Sequence, residues 1–263
     1  MIMQKNFDNC LEGMYKNFDT RFKSDQQYLE ALRVLTSSTN ETKNRISFII
    51  NKILPKVSKN NLLDVGVGNS ELTDILIENF NNIHLVEPSV RALESVKTEN
   101  LSKKTIEKFN LGIENYKFPE NYYDLVVNAQ TLYHIPREKW KEIIEKSHRS
   151  LKNDGLQLIV INNGLSRSQL TKFFGSKNIV NIEKLIEECL TLKNASIEVF
   201  PSYEEFQADS MDKIISISRI CLHDVNVTTS YDELRDYLIA NYKMGNFYKI
   251  DFCQYFFLIK KNK

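Results

Sequence analysis

The chain has 263 residues, 42% hydrophobic and 26% charged, a composition that suits a soluble globular protein able to bury a full core. With 35 basic against 34 acidic residues the formal net charge is +1, which disfavours a polyanionic partner, and no apolar run approaches the roughly 20 residues that span a bilayer. Cys10, Cys189, Cys221 and Cys253 have no paired spacing and read as reduced thiols with no metal site; residues 1–9 lack a signal-peptide core, so the expected location is the cytoplasm.

Tyr28, Leu29, Leu32 and Leu35 recur at helical spacing, and Ile46, Ile49, Ile50, Ile53 and Leu54 do so again, predicting two helices before the first strand. The polar turn 36–41 between them offers caps for the second. A strand is expected at 61–65, then a helix with Leu72, Ile75, Leu76 and Phe80 on one face. A strand at 83–86 leads through Pro88 and Ser89 into a helix bearing Leu93 and Val96, and a third strand at 104–109 follows. The fourth strand falls at 124–128, the next helix carries Trp140, Ile143, Ile144 and Leu151, and the turn Asn153-Asp154-Gly155 precedes a fifth strand at 156–161. Beyond lie helices near 181–192, 211–222 and 231–241, a strand near 197–200 and a closing strand at 252–259, with residues 260–263 as a solvated basic tail.

This alternation predicts an α/β fold: a Rossmann-like, doubly wound, mostly parallel seven-stranded sheet with N-terminal helices and a helical substrate-covering insertion. It reads as a single domain over 1–263. Residues 1–58 supply N-terminal substrate-lid helices, 59–161 the nucleoside-binding core, and 162–263 the substrate-covering region and closing strands.

The first chemical signal is the run Leu62-Leu63-Asp64-Val65-Gly66-Val67-Gly68-Asn69-Ser70, with Glu87 about 20 residues on. Glycines opening a helix let the backbone approach a ligand, and the later carboxylate can grip a ribose diol. The third glycine of a dinucleotide site is replaced by Glu71, whose carboxylate would oppose a pyrophosphate at the helix start. A neutral or cationic nucleoside is therefore expected, and S-adenosylmethionine fits best. Glu87 also reads as a helix N-terminal acid. Asp64, in an apolar strand, needs hydrogen-bond partners and reads as a support that accepts N–H groups of the glycine loop. The second signal is Asn128-Ala129-Gln130-Thr131-Leu132-Tyr133-His134 at a strand end. There Gln130 needs a partner, Tyr133 reads equally as pocket wall or core, and His134 reads as a surface histidine or a general base.

On these segments, with Glu87-Pro88-Ser89 and Leu151-Lys152-Asn153-Asp154-Gly155, the chain resembles the class I S-adenosylmethionine-dependent methyltransferases over most of its first 160 residues. Within them it most resembles histamine N-methyltransferase, through residues 28–41, Gln130-Thr131-Leu132-Tyr133, Phe173-Phe174-Gly175-Ser176 and Phe256-Phe257-Leu258-Ile259. The resemblance implies N-methylation of a small imidazole or amine by in-line displacement, leaving S-adenosylhomocysteine. It places the cofactor on Asp64, Gly66, Gly68, Glu87, Pro88, Ser89, Ile113, Asn128 and Ala129. Substrate falls to Phe22, Tyr28, Glu41, Gln130, Tyr133 and Asp251, with Gln130 and His134 as the catalytic pair. Two tryptophans of that enzyme's pocket are replaced near Arg167 and Thr171, a tyrosine is replaced by His134, and the last-strand asparagine falls at Asp251 or Phe252. No nucleic-acid or membrane partner is implied, and a monomer is expected. The alternatives are a small-molecule methyltransferase with another nitrogen or oxygen acceptor, and a non-catalytic S-adenosylmethionine-binding protein.

Overall fold

The computed structural model describes residues 20–98, 103–176, 179–223 and 227–263, so Cys10 and residues 1–9 lie outside the described part. Ser24 opens helix α1 (Asp25–Ser37) by accepting the Gln27 N–H at 3.3 Å. Helix α2 (Glu41–Phe48) follows Asn40 and runs on into a π turn at Ile49–Ile53, where the Leu54 N–H reaches the Ile49 carbonyl at 2.9 Å. Next come β1 (Asn61–Val65), α3 (Glu71–Asn79), β2 (Asn82–Val86), α4 (Val90–Ser95), β3 (Thr105–Phe109), β4 (Tyr123–Ala129), α5 (Trp140–Ser150) and β5 (Leu151–Asn163). The chain continues through α6 (Leu165–Phe173), α7 (Ile182–Leu190), β6 (Ala195–Ala208), α8 (Met211–Cys221), α9 (Tyr231–Tyr242), β7 (Lys243–Met244) and β8 (Phe247–Lys261).

The strands are ordered β3-β2-β1-β4-β5-β8-β6, with the two-residue β7 pairing β8 as an eighth strand beside the expected seven. Strands β1 to β5 pair in parallel, and β8 runs antiparallel to β5. Strand order reverses between β1 and β4, so the carboxyl ends of these two strands flank the crevice where such sheets bind ligands.

The described chain forms two compact units, each drawn from several stretches of the sequence. One comprises Asn40–Asn163, Val180–Tyr203 and Cys253–Lys263. Strand alternation sends its buried residues to two apolar layers. Leu62, Leu125, Leu158 and Leu258 join Ile49, Ile53, Leu76 and Phe80 in one; Leu63, Val126, Ile159 and Phe257 join Trp140, Ile143, Ile144 and Leu185 in the other. The second unit takes the residues up to Thr39 with Gly164–Ile179 and Glu204–Phe252. In it α1 packs on α8, and Phe206 stacks on Phe252 with centroids 4.2 Å apart.

The structure departs from expectation in three places. Helix α6 carries few apolar residues at helical spacing and gives no sequence signal. The Asn153-Asp154-Gly155 turn lies inside β5: pairing jumps from Tyr123↔Leu151 to Leu125↔Leu156, and Asp154 takes φ +65°. The basic C-terminus is no solvated tail, because the Lys261 ammonium donates to the Arg149 and Leu151 carbonyls at 3.0 and 2.7 Å, and Lys260 pairs with Asp154 at 2.9 Å. Cys189, Cys221 and Cys253 are free and buried. Among the described residues no helix is long and apolar enough to cross a membrane.

Candidate active site

The site is built at the carboxyl ends of the parallel strands in the first unit. After β1 the chain turns through Gly66 at φ +82° and Gly68 at φ +57°, conformations that glycine adopts without the steric cost of a side chain. A Cβ on Gly66 would run into the Thr131 methyl, so the loop after β1 lies against the loop after β4, while the Gly66 N–H bonds the Val86 carbonyl at 2.9 Å. Glu87 is 8% exposed. Its carboxylate accepts the Ser89 N–H at 2.8 Å through one oxygen and the Gly68 N–H at 3.5 Å through the other. It precedes α4, whose cap is Ser89, so it lies outside that helix's first turn. Pro88 is exposed, and the Asn110 amide holds its carbonyl at 2.7 Å.

Asp64 is buried and accepts the Thr73 hydroxyl at 2.6 Å, which ties α3 to β1. Its partner is this side chain, not the loop N–H groups expected from sequence. Burial lifts the Asp64 carboxyl to about 7 against the opposing Thr73 hydrogen bond; the Glu87 charge adds to the rise and the Arg45 charge opposes it. Asn128, next to last in β4, is in register with Val65 and Ile159 and 1% exposed, and its Oδ1 meets no donor among the described residues. Ala129 packs against one apolar layer, and Ile113, in a short turn after β3, belongs to the other.

One residue beyond Ala129, Gln130 takes φ +60°, a left-handed conformation that costs a non-glycine residue about 1 kcal/mol. Its N–H bonds the Val160 carbonyl at 2.8 Å and its amide donates to Asn162 Oδ1 at 2.6 Å. The Asn162 amide donates in turn to the Glu41 carboxylate at 2.6 Å. The Tyr133 hydroxyl donates to the Asn162 carbonyl at 2.6 Å and also meets the Asn162 N–H. Asn162, absent from the sequence reading, thus joins the three expected substrate residues Glu41, Gln130 and Tyr133. Its sequence signal is the one that picked out Asn128, a polar residue closing an apolar strand.

A second missed residue faces Asn162. In the antiparallel register Gln254 is its partner, so both side chains stand on one face of the sheet. Gln254 is 0% exposed, and neither its amide nitrogen nor its amide oxygen has a partner among the described residues. Asp251, the residue expected on this strand, is instead partly exposed and pairs with Lys249 at 3.2 Å within the second unit. Phe22 and Tyr28 also lie in that unit, edge to face at 5.5 Å, with His223 5.0 Å from Phe22. His134 ends the short turn Leu132–His134 with its side chain exposed.

Residues 63–159, which span the glycine loop, Glu87 and the end of β4, match the model of the methyltransferase domain family. This stretch is similar to the methyltransferase domains that the family model describes. A curated "uncharacterized methyltransferase" of Anoxybacillus flavithermus is 27% identical over 154 residues, 58% of this chain, and the chain spans 66% of that protein's length. Among solved structures, a putative methyltransferase from Bacillus halodurans superposes with a TM-score of 0.61 at 13% identity, covering 84% of this chain and 98% of its own. The N-methyltransferase NodS from Bradyrhizobium japonicum, solved with S-adenosylhomocysteine, gives 0.56 at 12% identity over 91% and 100% of the two chains. The fold is the Rossmann-like methyltransferase fold, and Asp64, Gly66, Gly68, Glu87, Asn128 and Gln130 all fall inside the matched domain.

Proposed function

We propose that the protein is an S-adenosylmethionine-dependent methyltransferase that methylates a nitrogen of a small imidazole or amine. The observation that carries this reading is the juxtaposition at residues 130 and 131: Thr131 lies against the Gly66 loop while Gln130 opens the Asn162–Glu41 chain, so a nucleoside cradle and a buried carboxylate share one loop. The donor fits the residues present. Gly66 lets the loop after β1 lie against Thr131 just after β4, Glu87 is held against the loop by backbone N–H groups, and the buried Asn128 Oδ1 awaits a donor. Glu87 would hold the ribose, with Pro88 and Ser89 fixing its turn. The Gly66–Gly68 loop and Asp64 support the methionyl end, and Ile113, Asn128 and Ala129 border the adenine.

When bound, S-adenosylmethionine supplies a methyl carbon activated by its sulfonium, whose C–S bond breaks as the acceptor lone pair closes on it. The protein's task is alignment and exclusion of water, worth effective molarities of order 10⁵–10⁸ M. Glu41 pairs with the acceptor's ammonium group, a charge-assisted contact strengthened by burial. Asn162 holds that carboxylate and the Gln130 amide in fixed orientations, and Gln254 offers a further donor and acceptor in place of Asp251. A neutral nitrogen attacks without a strong base, and the exposed His134 or water takes the proton after transfer.

Calorimetry with S-adenosylhomocysteine on the unaltered protein and Glu87→Ala tests the donor assignment. Loss of a carboxylate–diol contact is expected to weaken binding by about 10- to 100-fold. Equal affinity in the two proteins would remove Glu87 from the site.

A further inference from the structure

Away from the strand ends, β2 carries the half-buried His84 into a cluster of hydroxyl groups that the methyl-transfer chemistry does not use. Its Nδ1 lies 2.8 Å from the Tyr116 hydroxyl and 2.6 Å from that of Tyr123, and the two hydroxyls stand 2.5 Å apart. With Nδ1 unprotonated, one hydroxyl donates to its lone pair and the other donates to the first hydroxyl's oxygen, so both hydrogens are used. A proton on Nδ1 turns the only acceptor outside the two tyrosines into a donor, and one hydroxyl hydrogen is left without a partner in the cluster. Tyr123 is 0% exposed and Tyr116 8%, and a buried donor without an acceptor is costly. The charged group facing the imidazole is Glu107, its register partner on β3, 3.6 Å from Nε2 and largely exposed. Tyr122 stacks on the ring at 5.5 Å, and β1 sets the apolar Leu63 beside it in register. Burial holds the imidazole below its ordinary 6.5, against the opposing pull of the Glu107 charge.

The cluster grips the segment that supports Glu87. Phe109 sets its ring edge-on to His84 at 5.3 Å and to Tyr116 at 5.1 Å, and its carbonyl accepts the Glu87 N–H at 3.1 Å. The next residue, Asn110, donates its amide to the Glu87 and Pro88 carbonyls at 3.2 and 2.7 Å. Ile113 leads through its short turn to Tyr116, whose N–H bonds the Ile113 carbonyl at 3.1 Å. Residues 109–116 are thus held by the imidazole cluster at both ends, and through Phe109 and Asn110 they hold the Glu87 turn. We propose that His84 sets the pH range in which the donor binds: with Nδ1 unprotonated, residues 109–116 are fixed against the Glu87 turn, and protonation of Nδ1 releases Tyr116 and weakens the donor's seat. The proposal rests on the donor reading above, because its effect is read at that site, and its direction is loss of binding on acidification.

The test is calorimetry with S-adenosylhomocysteine at about pH 8 and about pH 5 on the unaltered protein and on His84→Asn, whose side-chain oxygen offers the hydroxyls an acceptor that does not titrate. Acidification is expected to weaken binding about five- to tenfold more in the unaltered protein than in His84→Asn, the part common to both belonging to Asp64 and other titrating groups. A second measurement needs only the unaltered protein once the His84 ring signal is assigned. Followed by NMR, that signal should show a titration midpoint that falls by about 0.7 to 1 pH unit when S-adenosylhomocysteine is saturating, the same five- to tenfold coupling read from the other side. Equal weakening in the two proteins, a midpoint that the ligand leaves in place, or a ring still neutral at about pH 5 would overturn the proposal. Failure of the unaltered protein to bind S-adenosylhomocysteine at either pH would refute the donor reading itself, whereas binding with an unmoved midpoint would refute only the control by His84.

Discussion

The two halves of the proposed site, one for the donor and one for the acceptor, are made in different ways. The donor half is backbone: two left-handed glycines, a carboxylate held by N–H groups, and strand ends, all within residues 64–89 and 113–129. The acceptor half is side chains drawn from distant parts of the chain, with Glu41 and Asn162 bonded across 121 positions and Asn162 opposed by Gln254. A backbone cradle tolerates no new atoms but accepts many sequences around it. A side-chain chain of hydrogen bonds fails link by link, so each half is expected to break in its own manner.

The largest effect is expected at the cradle. Gly66→Ala forces a Cβ against Thr131 at φ +82°, and a strain of about 1–2 kcal/mol from the backbone alone, before the clash, should weaken S-adenosylhomocysteine by more than about tenfold in calorimetry. Thr131→Ser removes the methyl that the new Cβ meets and should recover part of that loss; no recovery would mean that the contact is not the cause. In the acceptor half, Asn162→Ala unties Gln130, Glu41 and Tyr133 from one another without touching the cradle. It should lower kcat/KM by roughly 10- to 50-fold with the S-adenosylhomocysteine affinity within about twofold. Parallel losses in both quantities would show that the halves are not separable. A separate effect, on stability and not on binding or turnover, concerns Asp64, whose buried carboxyl is raised to about 7 from an ordinary 3.8. The folded state therefore keeps a proton that the unfolded chain has lost, so the contribution of Asp64 to stability is fully present below about pH 4 and is lost as pH rises to about 7. Melting temperatures between pH 5 and 8 should decline in the unaltered protein and decline less in Asp64→Asn; matching slopes would detach Asp64 from that titration.

The same contrast explains what the sequence disclosed. The donor half was legible because Gly66, Gly68 and Glu87 lie close in sequence and their spacing follows from one βαβ unit. Strands β1, β2, β4 and β5 were legible because buried parallel strands read as apolar runs, whereas β3, an edge strand of exposed and half-buried residues, carried a weaker signal. Strands β6 and β8 extend well past the expected 197–200 and 252–259, since their outer stretches alternate with polar residues and carry no continuous run. Gln254 depends on the β5–β8 register, and a shift of one residue would turn a different side chain to that face. Sequence offered Asp251 there because register is a property of pairing, which a single strand does not encode. Asn162 was readable in kind, as a polar residue near the end of an apolar strand, but its partners were not.

The most direct test of the account is to incubate the protein and its Glu41→Gln variant with S-adenosylmethionine and a pool of imidazoles, amines and phenols, scoring products that gain the mass of one methyl group. The account predicts a methylated imidazole or amine with the unaltered protein, and a KM for it raised by about 30- to 100-fold in the variant, the loss of a buried charge-assisted contact. Methylated phenols with unmethylated amines, or amine kinetics indifferent to Glu41→Gln, would contradict it.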